Sequence, residues 1–290
     1  MTPTDAERRL RAHVEMLAVT IGERHIWRPD ALARTAEYIR MTLAGTGFVP
    51  GVQKFDARGT PVENIEAILR GTSAAPEVVV VGAHYDTVGG SPGANDNGTG
   101  IASVLELARR FAREPRPHTL RFVAFVNEEP PFFQTEEMGS LVYARAAQRR
   151  GDRIRGMLSL ETMGYYSDER GSQQYPGPLS EFFPETGNFI AVVGNTGSSS
   201  LIRQIRDAFT EQTDFPIQAA PLPADLPGAG WSDHWSFWET GYPAVMVTDT
   251  APFRYPWYHT ADDTPDKIDF ARLAVVVDGL EAVVRALSRA

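Results

Sequence analysis

Residues 77–82 read EVVVVG, an unbroken β-branched run with no polar alternation. A strand of that composition is buried on both faces, as happens in parallel sheets covered by helices on either side. The surrounding chain fits such a sheet. Helical patterns are expected over 29–44, 99–112, 137–149, 199–213 and 269–287. Strands are expected over 62–69, 119–126, 156–160, 189–193 and 244–247. Strands alternating with helices predict an α/β architecture. No internal repeat or domain boundary is visible, so residues 1–290 are expected to form a single three-layer domain. Its central sheet is mostly parallel but mixed, with helices on both faces, and such sheets place their sites at strand ends. Two stretches rich in Pro, Gly and Ser, 167–187 and 216–230, interrupt the pattern. Loops of that length are either surface linkers or walls of a binding site.

Charge and composition narrow the function. A formal net charge of −9 argues against a nucleic-acid or acidic-membrane partner. No apolar run has the length of a membrane span. The first residues, MTPTDAERRLRAHVEML, are charged and amphipathic and lack the apolar centre of a signal peptide, so a cytoplasmic location is expected. With no cysteine, thiolate ligands, disulfides and a cysteine nucleophile are excluded.

The chemistry gathers directly after the EVVVVG run, in GAHYDTVGGSPGANDNGTG. His84 and Asp86 are two residues apart, which in extended chain places both side chains on one side. Asp86 can then accept the second N–H of His84, a common support for a metal-bound imidazole, although a satisfied core histidine reads the same way. Asp96 stands in a glycine-rich turn that lacks both the spaced oxygens of a calcium loop and the Gly-Lys-Ser/Thr of a phosphate loop. It is either a helix cap or a ligand. The strand RFVAFV ends in Glu128 and Glu129, two carboxylates that are costly at an apolar strand end unless paired or metal-bound. Glu161 stands at a third strand end. Glu136 and Glu137 form a similar pair but open a helix, where acidic residues favour the positive dipole end. Of six histidines, His13 and His118 read as solvated and His25 lies far from any acidic cluster. His234 either packs against tryptophan or meets substrate, and His259, among Thr260, Asp262 and Asp263, is the best second imidazole. Two imidazoles with several carboxylates suit zinc or a similar divalent ion, and the surplus of acids suggests two ions sharing a bridging carboxylate.

Taken in order, VVGAHYD, PGANDNGTG, VNEE, LSLETMGY, WSDHWSFW with GYPAVMVTDT, and YHTADDTPDKID resemble the co-catalytic di-zinc aminopeptidases, exopeptidases related in fold to the glutaminyl cyclases. The likeness runs from about Arg24 to the last helix. It implies a zinc-exopeptidase fold, two divalent ions with zinc foremost, and a peptide or aminoacyl substrate. It further implies that His84, Asp96 and Glu161 hold one ion, and that Asp96, Glu129 and His259 hold the other with Asp96 bridging. Glu128 would be the general base, Asp86 would orient His84, and the Asp96–Asn97 peptide would be cis. Glu161 departs from the aspartate frequent in the family, and PPFFQTEE is inserted after Glu129. Phe132 and Phe133 in that insert either line a pocket or cap the core. Tyr165, Tyr166, Trp231 and His234 are further candidates for substrate contact. Three alternatives stay open: a glutaminyl-cyclase-like acyltransferase using one zinc, a carboxypeptidase using Arg254 for the substrate carboxylate, and a non-catalytic binding protein.

Overall fold

The four valines and the glycine of the EVVVVG run lie within a strand, Val78–His84, in which every residue is buried. The computed structural model describes residues 2–289. Its eight strands, in chain order, are β1 (Gly51–Ala57), β2 (Thr60–Leu69), β3 (Val78–His84), β4 (Thr119–Phe125), β5 (Ile154–Glu161), β6 (Ile190–Gly194), β7 (Ile217–Pro221) and β8 (Ala244–Thr248). They form one sheet in the order β1-β2-β4-β3-β5-β8-β6-β7. β3 pairs in parallel with β4 and β5, β5 with β8, and β6 with β7, whereas β1–β2, β2–β4 and β6–β8 are antiparallel. The sheet is thus mixed, with a parallel centre whose strands all end at one edge.

The α-helices are α1 (Asp5–Glu15), α2 (Pro29–Gly45), α3 (Gly100–Phe111), α4 (Gly139–Arg150), α5 (Ser199–Gln212), α6 (His234–Glu239), α7 (Ala251–Arg254) and α8 (Phe270–Leu287). Period-two alternation along β3 divides its valines between two cores. Val79 and Val81 pack with residues of α1, α2, α3, α5 and α8. Val78 and Val80 face the other way, against Tyr143, Ala144 and Ala147 of α4 and Phe237 of α6. Helices on both faces complete the three layers. Gly82 keeps the centre tight: a Cβ there would lie 2.4 Å from Cε2 of Phe125 on the neighbouring strand. No helix among the described residues is long and apolar enough to cross a membrane.

Two strands were absent from the sequence reading, and both lie at sheet edges. β1 (GVQKFDA) and β7 (IQAAP) are half-exposed along most of their length. An edge strand lacks a neighbour on one side, so it need not carry the apolar run that marks a central one, and a terminal proline is tolerated there.

Candidate functional site

At the carboxyl edge of the parallel strands, His84 ends β3, Glu161 ends β5, and Glu128 and Glu129 follow β4. The parallel register brings these ends together: His84 sits opposite Phe125 and Glu161 opposite Thr248. Asp96 and His259 come to the same place from loops. The Nε2 of His84 is 3.3 Å from Asp96 Oδ1 and 3.3 Å from Glu161 Oε2. The Nε2 of His259 is 3.1 Å from Asp96 Oδ2 and 3.3 Å from Glu129 Oε2. The two carboxylate oxygens of Asp96 therefore face different imidazoles. Glu128 Oε2 is 3.8 Å from His84 Nε2, outside both triplets.

The donor set fits divalent ions. His84 Nε2, His259 Nε2 and Glu129 Oε1 are buried without a hydrogen-bond partner, a costly condition unless a cation satisfies them. Two ligand atoms about 2.0–2.1 Å from a zinc ion, at the tetrahedral angle, lie roughly 3.3–3.4 Å apart. The observed separations of 3.1–3.3 Å match that spacing. Within each group, His84–Asp96–Glu161 and Asp96–Glu129–His259, the candidate ligand atoms lie within 4.8 Å of one another.

The electrostatics demand positive charge. Burial pushes the His84 imidazole down, but the carboxylates of Glu161, Glu128, Asp86 and Asp96 outweigh it and hold its pKa well above the ordinary value. His259 is driven up to about 10: burial opposes the rise, and contacts with Asp96 and Glu129 overcome it. Glu128 is raised well above the usual carboxylate range by burial, with Glu161 and Glu129 adding like-charge repulsion against the attraction of His84. Concentrated carboxylates that keep neighbouring imidazoles cationic form a site that a metal ion can enter by displacing protons.

Supporting residues fix these positions. Asp86 does something other than the expected carboxylate clamp on His84. The imidazole Nδ1 is 3.1 Å from the Asp86 backbone carbonyl and 3.7 Å from its carboxylate. That carboxylate instead accepts the backbone N–H groups of Glu128 and Glu129, each at 3.1 Å. The physical reason is that β3 stops at His84, so the extended geometry assumed for His-x-Asp does not reach residue 86. Asp96 is likewise no helix cap. Asn97 does that work, its Oδ1 accepting the Gly100 N–H at 3.1 Å, and the Asp96–Asn97 peptide is cis. Three non-glycine residues with positive φ, Asn127 (60°), Thr162 (42°) and His259 (60°), mark the sharp turns at the site, a backbone state found preferentially at functional positions.

Four further residues were missed as site components. Asp263 accepts the backbone N–H groups of Asn95 (2.8 Å) and Asp96 (3.1 Å) and the Tyr255 hydroxyl (2.8 Å). Ser232 donates to Glu161 Oε2 at 2.7 Å, anchoring the longer ligand side chain, and Asn97 Nδ2 reaches the same oxygen at 3.4 Å. Tyr258, next to His259, carries a phenol pushed far above its ordinary pKa by burial and by Asp96, Glu129, Glu161 and Glu128, so it stays a neutral donor. Only its adjacency to His259 could have revealed it in the sequence.

Beside the ligands opens an apolar cavity of about 90 Å³. Glu161 and Tyr258 are among its lining residues, with side chains of β6, β7 and β8. Both interrupting loops wall it: Tyr175, Leu179 and Phe183 come from the first, and Leu222, Leu226 and Pro227 from the second. Trp231 stands at this cavity, 46% exposed and stacked on Phe253. The other aromatic candidates lie elsewhere. His234 is fully buried, with Nε2 2.8 Å from the Ala229 carbonyl and its ring edge-on to Trp238, so packing is its role. Tyr166 points into the main core against Phe215, its hydroxyl donating to Met163. Phe132 is buried under Arg58, and half-buried Phe133 does not line the cavity. Tyr165 packs on Tyr255 and Trp257.

An α/β sheet with imidazoles and carboxylates converging on its carboxyl edge is an arrangement able to hold divalent ions. The family model for Peptidase family M28 matches residues 64–284, and the chain belongs to that family. It is 37% identical over 289 residues to the uncharacterized protein YfbL of Escherichia coli (strain K12), covering 96% of this chain and 88% of that one. It is 30% identical over 213 residues to aminopeptidase YwaD of Bacillus subtilis (strain 168), covering 72% of this chain and 41% of YwaD. Its fold superposes on BSAP, a zinc aminopeptidase from Bacillus subtilis, with a TM-score of 0.80 at 18% identity, covering 100% of this chain and 96% of that one.

Proposed function

We propose that the chain is a metallo-aminopeptidase that cleaves the first peptide bond of a substrate with a free amino terminus, using two zinc ions. One ion would be held by His84, Asp96 and Glu161 and the other by Asp96, Glu129 and His259. The observation that carries this reading is the pair of buried Nε2 atoms, each without a hydrogen-bond partner and each 3.1–3.3 Å from two carboxylates. When bound, such ions polarise the scissile carbonyl and make a water nucleophilic at neutral pH.

The protein's own groups supply the rest. Glu128 lies beside the ligand cluster without belonging to either triplet, which suits a base. Its carboxylate takes a proton from the attacking water and returns it to the departing amine nitrogen. The Tyr258 phenol, neutral and lining the apolar cavity beside His259, donates to the oxyanion that develops on the carbonyl. The cavity, which Glu161 helps to line, takes the side chain of the terminal residue. Arg254 does not suit a substrate carboxylate: it is 6% exposed, with Nε on Gln173 (2.7 Å) and Nη1 on the Phe189 carbonyl (2.8 Å).

The test is Glu128→Gln. The variant should keep the wild-type metal content while hydrolysis of an aminoacyl-nitroanilide falls about 10²- to 10⁴-fold. Undiminished hydrolysis at equal metal loading would remove Glu128 from the reaction.

A further inference from the structure

Arg24 is fully buried, yet among the described residues no carboxylate lies within salt-bridge distance of it. Its guanidinium is instead ringed by backbone carbonyls. Nε donates to Tyr85 (2.9 Å), Nη2 to Gly93 (3.0 Å), and Nη1 lies within reach of Leu17 (3.1 Å), Gly22 (3.0 Å) and Pro92 (2.6 Å). Its backbone is tied to the same loop: the Arg24 N–H donates to Thr87 Oγ1 at 3.0 Å, and the Thr87 N–H donates to the Arg24 carbonyl at 2.8 Å. Arg24 therefore grips both ends of the segment 85–93, which begins one residue after His84 and ends three residues before Asp96.

The grip leaves little slack. Gly93 has φ +66°, and a Cβ there would meet Thr87 Cγ2 at 2.3 Å, the Asp96 carbonyl at 2.5 Å and Arg24 Nη2 at 2.8 Å. Charge-assisted bonds from a planar, always-charged fork can hold several carbonyls in fixed relative positions, which a single ammonium point charge does less well. On the far side, Asp263 holds the backbone N–H groups of Asn95 and Asp96. The chain from Tyr85 to Asp96 is thus pinned by an arginine at the carbonyls of the 85–93 loop and by an aspartate at the amides that follow it.

Building on the two-ion reading above, we infer that Arg24 is a positioning residue of the metal centre: it closes the 85–93 loop so that one carboxylate, Asp96, faces the imidazoles of both His84 and His259. It touches neither substrate nor ion and acts through the backbone.

The experiment compares Arg24→Lys, Arg24→Gln and Thr87→Val with the wild type, each stripped of metal and titrated with Zn²⁺ by calorimetry. Hydrogen exchange of segment 85–97 is followed in parallel. Glu106→Gln, which disturbs a charge cluster on α3 built with arginines of α1 and α3, serves as a destabilised control. The inference predicts Zn²⁺ affinity at least tenfold weaker in Arg24→Gln. It predicts partial recovery in Arg24→Lys, a smaller loss in Thr87→Val, and faster exchange across 85–97 in all three. Wild-type affinity in folded Arg24→Lys and Thr87→Val, or an equal loss in Glu106→Gln, would overturn it. If Arg24→Gln does not fold, the other two variants decide. A wild type that binds no Zn²⁺ would instead refute the two-ion reading, a separate outcome.

Discussion

Glu106 offers a quantitative test of how the amino-terminal helix is fastened to the body of the fold. Its side chain, on α3, is fully buried and accepts hydrogen bonds from Arg9 (2.9 and 2.9 Å), Arg109 (2.8 and 2.9 Å) and Arg110 (2.9 Å). Arg110 in turn reaches Asp278 and Glu281 on α8, so one carboxylate organises contacts among three helices. Glu106→Gln keeps the shape but removes the charge and turns one acceptor into a donor facing guanidinium groups. Breaking a buried ion pair on one side costs about 3–5 kcal/mol. Arg9 and Arg109 retain 35% and 42% side-chain exposure and can recover some hydration, so the lower figure, about 3 kcal/mol, applies. For a domain of this size that lowers Tm by roughly 6 °C.

The effect has a pH signature. Burial would raise the Glu106 pKa, but Arg109, Arg9 and Arg110 outweigh it and hold the carboxyl below its usual 4.5. A carboxylate depressed on folding contributes stability that is fully present above the unfolded value and is lost as pH falls toward the folded one. Urea denaturation of the wild type and of Glu106→Gln should therefore differ by about 3 kcal/mol at pH 7, and the gap should narrow steadily below pH 4.5. A gap below about 1 kcal/mol at pH 7, the range of an exposed ion pair, or a gap that stays constant down to pH 3, would refute the reasoning.

Two other substitutions probe the site. His259→Ala should reduce zinc from two ions per chain to one by elemental analysis, because His259 serves only the second triplet; unchanged stoichiometry contradicts that assignment. Tyr258→Phe should lower kcat about 100-fold with little change in KM or metal content, and an unaltered kcat would exclude the phenol as an oxyanion donor.

The parts of the molecule that were legible in the sequence share a physical cause. β3 could be read because burial on both faces demands an unbroken apolar run, and the parallel architecture follows from it. Glu128 and Glu129 stood out because paired charge at the end of such a run is costly without a partner, whereas His84 and Glu161, weak alone, became candidates only through the acids at neighbouring strand ends. Local geometry was harder to read. Asp86 was expected to hold His84 with its carboxylate, but the strand ends at His84, two residues before it, and the carboxylate turns to the amides of Glu128 and Glu129. Ser232 and Asp263 act from the far side of the chain, and no local pattern announces a contact 71 or 167 residues away. The aromatic candidates were the least legible. His234 and Tyr166 carry the same residue chemistry as pocket residues, and only packing decides which way a ring points. The two loops rich in Pro, Gly and Ser left both roles open, and both loops wall the cavity.

The central claim, a metal-dependent peptidase acting on a free amino terminus, is tested most directly by zinc reconstitution of the stripped protein. Hydrolysis of an apolar aminoacyl-nitroanilide is followed beside that of its N-acetylated twin. The metal-free protein should be inactive, and activity should return and reach its plateau at two equivalents of zinc. The free-amine substrate should be cleaved and the acetylated one left intact. Full activity without metal, or equal cleavage of the two substrates, would contradict the account.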